Sequence, residues 1–342
     1  MHHFEAFTAA KDPARPETNE DQMVLRPGLV LAVIDGATDI SGERFDDPLG
    51  TAATGGRLAA RAMAQALSGW AAGETDAPPD PLPALEATNG GLLSLYHRIG
   101  RLDAAASNGE LRFRATFAGA FFSRDCIRLV RLGDSGFRVN GRPVLEKHYP
   151  GDTVLSAARS AGWQRLSASG LDADSIRPLA RQLIVRGLGQ ADALAELGFT
   201  ADDITAIEAD VMSRPAVLEA VGGDQRRIRH ILSGGLEAIR RDPASYEALA
   251  MDGFSDFGAA AIADFVRSDV ETLEIYTDGY PALPEAVSLA AWEAALRHAD
   301  ETDPERIDAY PSTKGCDAGR FGDDRTIIIA RSYQSNAMSR SR

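Results

Sequence analysis

Four aspartates in this chain stand beside a glycine at the end of an apolar run. Leu29 to Ile34 leads into Asp35-Gly36, and Leu273 to Tyr276 passes through Thr277 into Asp278-Gly279. Cys126 to Leu132 is followed by Gly133-Asp134, and Gly322-Asp323-Asp324 precedes Thr326 to Ala330. Asp-Gly is an ordinary turn dipeptide, because glycine reaches backbone conformations closed to other residues and aspartate tolerates turns. Several such sites at the ends of strong strands carry more weight, since strands of one sheet can bring their ends together. Clustered carboxylates repel one another unless cations bind among them, and hard oxygen ligands of this kind suit Mg or Mn. The pattern predicts a binuclear metal site.

Those aspartates need strands to deliver them. Phe4 to Thr8, Leu29 to Ile34, Phe113 to Phe122, Cys126 to Leu132, Leu273 to Tyr276 and Thr326 to Ala330 are rich in Val, Ile, Leu and Phe and end in polar or glycine turns. Between them, Thr54 to Leu67 reads as a helix capped by Thr51 or Thr54, and Leu85 to Ile99 carries apolar residues at helical spacing. The proline-rich stretch from Pro78 to Pro83 separates the two as a loop. From Asp172 to Arg241 the strand signal disappears; Ile176 to Leu188 and Ile228 to Ile239 look helical, with breaks at Gly198 and Arg214-Pro215. Strands, then helices, then strands predict one α+β domain over 1–331 with a helical insertion at about 151–241, followed by a polar tail, 332–342.

Composition narrows the function. With 36 basic and 50 acidic side chains among 342 residues, the formal charge is −14. An acidic chain is a poor partner for nucleic acid or an anionic membrane, whose binding needs clustered Lys and Arg facing phosphates. It can instead concentrate divalent cations. The two cysteines, Cys126 and Cys316, form no zinc motif and no disulfide framework, which fits a reducing, cytoplasmic compartment. The start, Met1-His2-His3-Phe4-Glu5, lacks the cationic then apolar pattern of a secretory signal, and the run Leu29 to Ile34 is far short of the ~20 residues of a membrane helix.

Taken in order, Asn19-Glu20-Asp21, Leu29 to Gly36, Leu132-Gly133-Asp134-Ser135, Tyr276 to Gly279 and Gly322-Asp323-Asp324-Arg325-Thr326 resemble the metal-dependent protein phosphatase family, type 2C. The match runs from about residue 4 to 331 and is poorest over about 151–241. The resemblance implies an α-β-β-α sandwich of two antiparallel sheets flanked by helices, with two Mn or Mg ions at one end. It implies that Asp35 bridges both ions and that the Gly36 carbonyl binds one. Asp278 and Asp323 complete the shell of the other, Glu20 acts through a bound water with Asp21 behind it, and Asp134 lies close by, possible support for a third ion. Hydroxide made from a water between the ions then attacks phosphoserine or phosphothreonine of a protein substrate in line, with no covalent enzyme intermediate.

The chain departs from that family in three places. Ala37-Thr38-Asp39 stands where many members carry a His that can protonate the leaving alcohol. Pro16 occupies the usual place of a phosphate-binding Arg, leaving Arg15, one residue displaced, with Arg112 or Arg114 as weaker substitutes. Ala282 stands where many members have an Asp that helps to hold a third metal. No Walker pattern or nucleophile elbow occurs, and His97, His148, His230 and His298 are scattered singly. A small-molecule phosphoesterase and a catalytically weak binding module remain rival readings. The helical insertion is expected to wall the active-site cleft, with Arg226, Arg227 or Arg229 facing acidic substrate.

Overall fold

Alternation along the strands sorts the side chains into layers. The computed structural model describes residues 3–37, 42–46, 52–74, 80–145, 149–246, 249–317 and 319–332. The chain begins with β1 (His3–Ala9), β2 (Gln22–Arg26), β3 (Val30–Gly36) and the short pair β4 (Phe45–Asp46) and β5 (Ala52–Ala53). Helices α1 (Gly55–Gly73), α2 (Leu82–Arg98) and α3 (Leu102–Ser107) follow, then β6 (Ala115–Phe122), β7 (Cys126–Leu132), β8 (Gly136–Val139) and β9 (Arg142–Val144). Next come α4 (Pro150–Ala168), α5 (Ala173–Arg186), α6 (Ala191–Glu196), α7 (Ala201–Ser213), α8 (Pro215–Ala220) and α9 (Gln225–Arg241). The chain closes with β10 (Ala261–Val266), β11 (Thr272–Tyr276), α10 (Leu289–Thr302) and β12 (Arg325–Arg331).

Two five-stranded sheets form, in the orders β1-β12-β11-β8-β9 and β10-β7-β6-β3-β2, and every pairing in them is antiparallel. Along β3, Leu31 and Val33 join Phe137, Ile275 and Ile328 of the other sheet in one buried cluster. Val30, Ala32 and Ile34 point the opposite way, onto Leu58, Met63 and Leu67 of α1 and Leu85 and Leu92 of α2. The first sheet likewise turns Ile327 and Ile329 of β12 toward Trp292 and Leu296 of α10. Helix, sheet, sheet and helix therefore stack in that order, an α+β sandwich, as the period-two burial of strands covered on both faces requires. Helices α4 to α9 bury a cluster of their own around Leu155, Leu183, Ile207 and Ile231.

Local signals explain the element ends. Thr54 caps α1, its hydroxyl oxygen accepting the Arg57 amide at 3.1 Å. Strand β6 starts at Ala115, later than the apolar run from Phe113 suggests, because the Phe113 amide donates to the Tyr96 hydroxyl at 2.7 Å and is withdrawn from the ladder. The breaks expected at Gly198 and Arg214-Pro215 are the C-terminal turn after α6 and the junction of α7 with α8. Strands β2, β8, β9 and β10 and helix α10 lay outside the sequence expectations. Thr38, Asp39, Thr51, Pro78, Pro79, His148 and 333–342 lie outside the described residues.

Trp292 ties the outer helix to its sheet. It is 0% exposed, packs against Tyr276 with ring centroids 4.6 Å apart and the rings tilted by 44°, and donates Nε1 to Glu274 Oε1 at 2.7 Å. Burial pushes the Glu274 pKa up, although Trp292 and the Arg138 guanidinium, 3.2 Å away, favour the charged form. Trp292→Ala leaves a cavity and strips Glu274 of a donor, and is expected to lower unfolding free energy by about 3–5 kcal/mol. Urea unfolding of the purified variant measures this; a loss below about 1 kcal/mol contradicts the packing described.

Candidate metal centre

Strand parity aims the acids. Asp35 lies two residues beyond Val33 on the face of β3 that looks into the gap between the sheets, so its carboxylate emerges where that gap opens. Gly36 beside it packs against α1: a Cβ there would come 2.5 Å from the Gly56 carbonyl oxygen, so only glycine allows the close approach. Asp278 follows β11, where Gly279 passes against the backbone of Asp324 closely enough that a Cβ would lie 1.9 Å from its carbonyl oxygen. Asp134 follows β7 after Gly133, whose φ is 103°. Carboxylate oxygens of Asp35, Asp134 and Asp278 lie within 4.8 Å of one another. Burial, then the charges of Asp278, Asp21 and Asp134, push the Asp35 pKa well above its ordinary value.

Asp21 stands behind this trio. Its Oδ2 accepts from the Thr277 hydroxyl at 2.8 Å, while its buried Oδ1 accepts no hydrogen bond. Burial and the neighbouring Asp324 raise its pKa as well. Three converging oxygens and a buried carboxylate oxygen with an unused lone pair are what a hard divalent cation satisfies, so the residues present fit Mn or Mg.

Glu20 and Asp323 meet different partners. Glu20 Oε2 accepts from the Lys11 ammonium at 2.7 Å, and Oε1 accepts from the Thr54 hydroxyl. Lys11 Nζ also lies 3.3 Å from Asp324 Oδ2 and 3.8 Å from Asp323 Oδ1. Asp323 in turn accepts from the Lys314 ammonium. Burial alone would raise the Asp323 pKa, but Lys314 and Lys11 hold it below the usual carboxylate range. The sequence reading missed both lysines, because neither belongs to a motif and the chain separates them by most of its length.

The acids open into a cleft of about 680 Å³ lined by Asp35, Asp134, Asp278 and Asp323 and by Arg114, Arg131, Arg181 and Lys314. Helices of the insertion wall it through Asp152, Ser156, Arg181, Leu236 and Arg240. The arginines expected there do not line it. On α9, Ile228, Ile231 and Leu232 turn into the helical core, so the opposite stripe faces away, and Arg229 pairs there with Glu208 at 2.8 Å. Burial lowers the Arg181 pKa, with Asp323 pulling the other way.

No family model and no curated protein matches the chain. Solved structures do. The Mycobacterium tuberculosis serine/threonine phosphatase PstP/Ppp is 14% identical with a TM-score of 0.46, covering 97% of this chain and 99% of its own. Serine/threonine phosphatase Stp1 from Staphylococcus aureus is 12% identical at 0.47, covering 98% and 96%. The catalytic domain of PstP in complex with two manganese ions is 13% identical at 0.43, covering 96% and 97%. These structural neighbours are bacterial serine/threonine phosphatases.

The expected substrate arginine stands apart from the site. Arg15 is 55% exposed and turns to Asp12, with Nε 2.7 Å from Oδ2, and does not line the cleft. Proline at position 16 starts a short helical turn, Pro16–Thr18, none of whose residues is buried. Ala282 supplies no carboxylate after β11. With the Asp35 pKa raised above its unfolded value, the folded, metal-free chain binds the proton more tightly than the unfolded one. Its stability is therefore fullest below about pH 4 as far as this group is concerned and falls as pH rises through the raised pKa. Asp35→Asn is expected to raise the Tm of chelator-treated protein at pH 7 while leaving it little changed near pH 4. Calorimetry at the two pH values checks this, and an equal shift at both contradicts the charge argument.

Proposed function

We propose that this chain is a Mn- or Mg-dependent phosphatase acting on phosphoserine or phosphothreonine in proteins, in a reducing, cytoplasmic setting. The observation that carries the reading is the meeting of Asp35, Asp134 and Asp278 oxygens within 4.8 Å at the floor of a cleft that Lys314 and several arginines line. Acids beneath and cations around suit a phosphate monoester brought to a divalent ion. Bound there, such an ion supplies positive charge to the phosphoryl oxygens and lowers the pKa of a water. The chain's own part is to hold and to orient. Asp35, Asp134 and Asp278 bind, Asp21 and Thr277 fix the shape behind them, and Lys314 and Arg181 offer positive charge to the non-bridging oxygens.

Neither cysteine forms a disulfide, and among the described residues no helix is long and apolar enough to cross a membrane. One observation favours a second reading. The cleft, at about 680 Å³, has the size of a small-ligand site, and the helical insertion covers one side of it, which suits a small phosphorylated molecule as well as a side chain.

Hydrolysis of p-nitrophenyl phosphate and of a phosphothreonine peptide, each with Mn and with chelator, tests both. Turnover of both substrates only with Mn is expected, and Asp35→Asn is expected to lower it about a hundredfold or more. Undiminished activity in chelator, or in Asp35→Asn, refutes the site; turnover of the aryl phosphate alone selects the small-molecule reading.

The leaving group gives a further check. Where many type 2C members carry a His, this chain has Ala37-Thr38-Asp39, so good leaving groups are expected to be favoured strongly. Rates for aryl phosphates of graded leaving-group pKa should fall steeply as that pKa rises, and a flat dependence shows that another side chain delivers the proton.

A further inference from the structure

The turn that carries Asp278 does not continue the pattern of its strand. In β11, Glu274 and Tyr276 face Trp292 on the outer side of the sheet, while Leu273 and Ile275 face the gap between the sheets. Alternation would send Asp278, two residues past Tyr276, to the outer side as well. Its carboxylate instead comes within 4.8 Å of those of Asp35 and Asp134, and Asp35 stands on the inner face of β3. The chain therefore twists out of alternation here. Something has to hold that twist against the repulsion of the carboxylates it brings together.

The start of β12 runs opposite this turn. The register that pairs Tyr276 with Ile327 continues past the end of β11: the Thr277 amide donates to the Thr326 carbonyl at 3.0 Å, and the Thr326 amide donates to the Thr277 hydroxyl at 2.8 Å. Gly279 follows, pressed against the backbone of Asp324. One residue later the Tyr280 hydroxyl donates to Glu293 Oε1, on α10, at 2.8 Å. Glu293 in turn accepts from Arg325, Nε to Oε1 at 3.0 Å and Nη2 to Oε2 at 2.9 Å, the parallel pair of bonds that a planar guanidinium makes best. Asp278 is thus tied to β12 on both sides, through Thr277 before it and through Tyr280, Glu293 and Arg325 after it.

Aromatic rings fix both ends of the second tie. Tyr280 is buried and meets Trp292 edge-on, with centroids 5.0 Å apart. Arg325 is buried too, its guanidinium carbon 4.4 Å from the ring centroid of Phe321 and 5.4 Å from that of Phe7. An exposed ion pair gives little rigidity, whereas side chains packed in this way have little room to yield. The place of Arg325 on β12 therefore sets that of Glu293, and Glu293 sets that of Tyr280.

We propose that Glu293 is a positioning residue of the metal centre: by joining Tyr280 to Arg325 it holds the turn at Asp278 out of strand alternation, so that the Asp278 carboxylate is preset against Asp35 and Asp134 for a divalent ion. The proposal rests on the metal-dependent phosphatase reading. It adds to the site three residues that do not themselves bind the ion.

Calorimetric titration of the full chain with Mn tests it, carried out well below the Tm of every variant. Tyr280→Phe removes one hydroxyl and Glu293→Ala the whole link, and each is expected to weaken Mn binding about tenfold, as the loss of an outer partner of a metal site does. The double variant should bind no more weakly than Glu293→Ala alone, because the two changes break one connection. Tyr96→Phe is the matched control: it also removes a buried hydroxyl, the one that accepts the Phe113 amide beneath α2, and should leave Mn affinity within about twofold of the unaltered chain. Undiminished affinity in Tyr280→Phe, an equal loss in Tyr96→Phe, or losses that simply add in the double variant overturn the proposal and leave the phosphatase reading intact. No Mn uptake by the unaltered chain overturns both. Should Glu293→Ala fail to fold, the comparison of Tyr280→Phe with Tyr96→Phe decides.

Discussion

Carboxylate repulsion is the constraint around which this molecule is arranged. The oxygens of Asp35, Asp134 and Asp278 lie within 4.8 Å of one another, and two unit charges even at that limit repel by about 3–4 kcal/mol at the effective dielectric near a protein surface. Left to loops, such groups would swing apart. Here they issue from the ends of β3, β7 and β11, whose ladders and shared apolar core leave little freedom to yield. Hydrogen bonds between the sheet ends add to the brace. Thr277 donates to Asp21 and accepts the Thr326 amide at 2.8 Å, and the Thr326 hydroxyl meets that of Thr8 at the same distance. A bound cation would turn this preset crowding from a cost into an affinity.

The helical insertion belongs to the same balance. Its own buried cluster lets α4 to α9 pack on one another, yet Arg159 and Arg177 reach out of it to the segment after α10. Asp303 shapes that segment by accepting the amides of Ile307, Asp308 and Tyr310, each at 3.0 Å. Burial brings the Arg159 pKa down to about 10, which still leaves it charged at neutral pH and able to hold several carbonyls at once. The insertion therefore reaches the candidate metal centre twice, directly through Arg181 in the cleft wall and indirectly through the loop that ends in Lys314.

What could be read in the sequence was whatever local pattern decides. Long apolar runs announced β1, β3, β6, β7, β11 and β12, and the Asp-Gly turns marked where their acids emerge. Strands β8 and β9 are short and β10 is exposed on alternate residues, so their identity comes from the neighbours they pair with. Helix α10 draws its order from Trp292 and the sheet beneath it. At the site, ordered motifs named the acids because each sits on a strand end. The cations were hidden for the opposite reason: Lys11, Arg181 and Lys314 come from three unrelated loops and helices, and only the folded chain brings them to one cleft. Arg15 illustrates the converse, since nearness in sequence to Glu20 did not place it near the acids once the turn after Pro16 had formed.

On the phosphatase reading proposed above, charge distribution would also reconcile an acidic protein with an anionic substrate. A net charge of −14 repels a phosphate at long range, but salt screens that field beyond about 8–10 Å. Inside that distance the local set decides, and the cleft that holds the acids is also lined by Arg114, Arg131, Arg181, Arg240 and Lys314. Several of these guanidinium groups have their pKa lowered by burial, the mark of a charge held away from water. A charge so held attracts an incoming oxygen more strongly than one in solvent does, because less water competes for it. On that reading the acids below would serve the cation and the basic wall the phosphate, and the two sets avoid cancelling each other because the strands fix the first and the insertion, with the loop it braces, fixes much of the second.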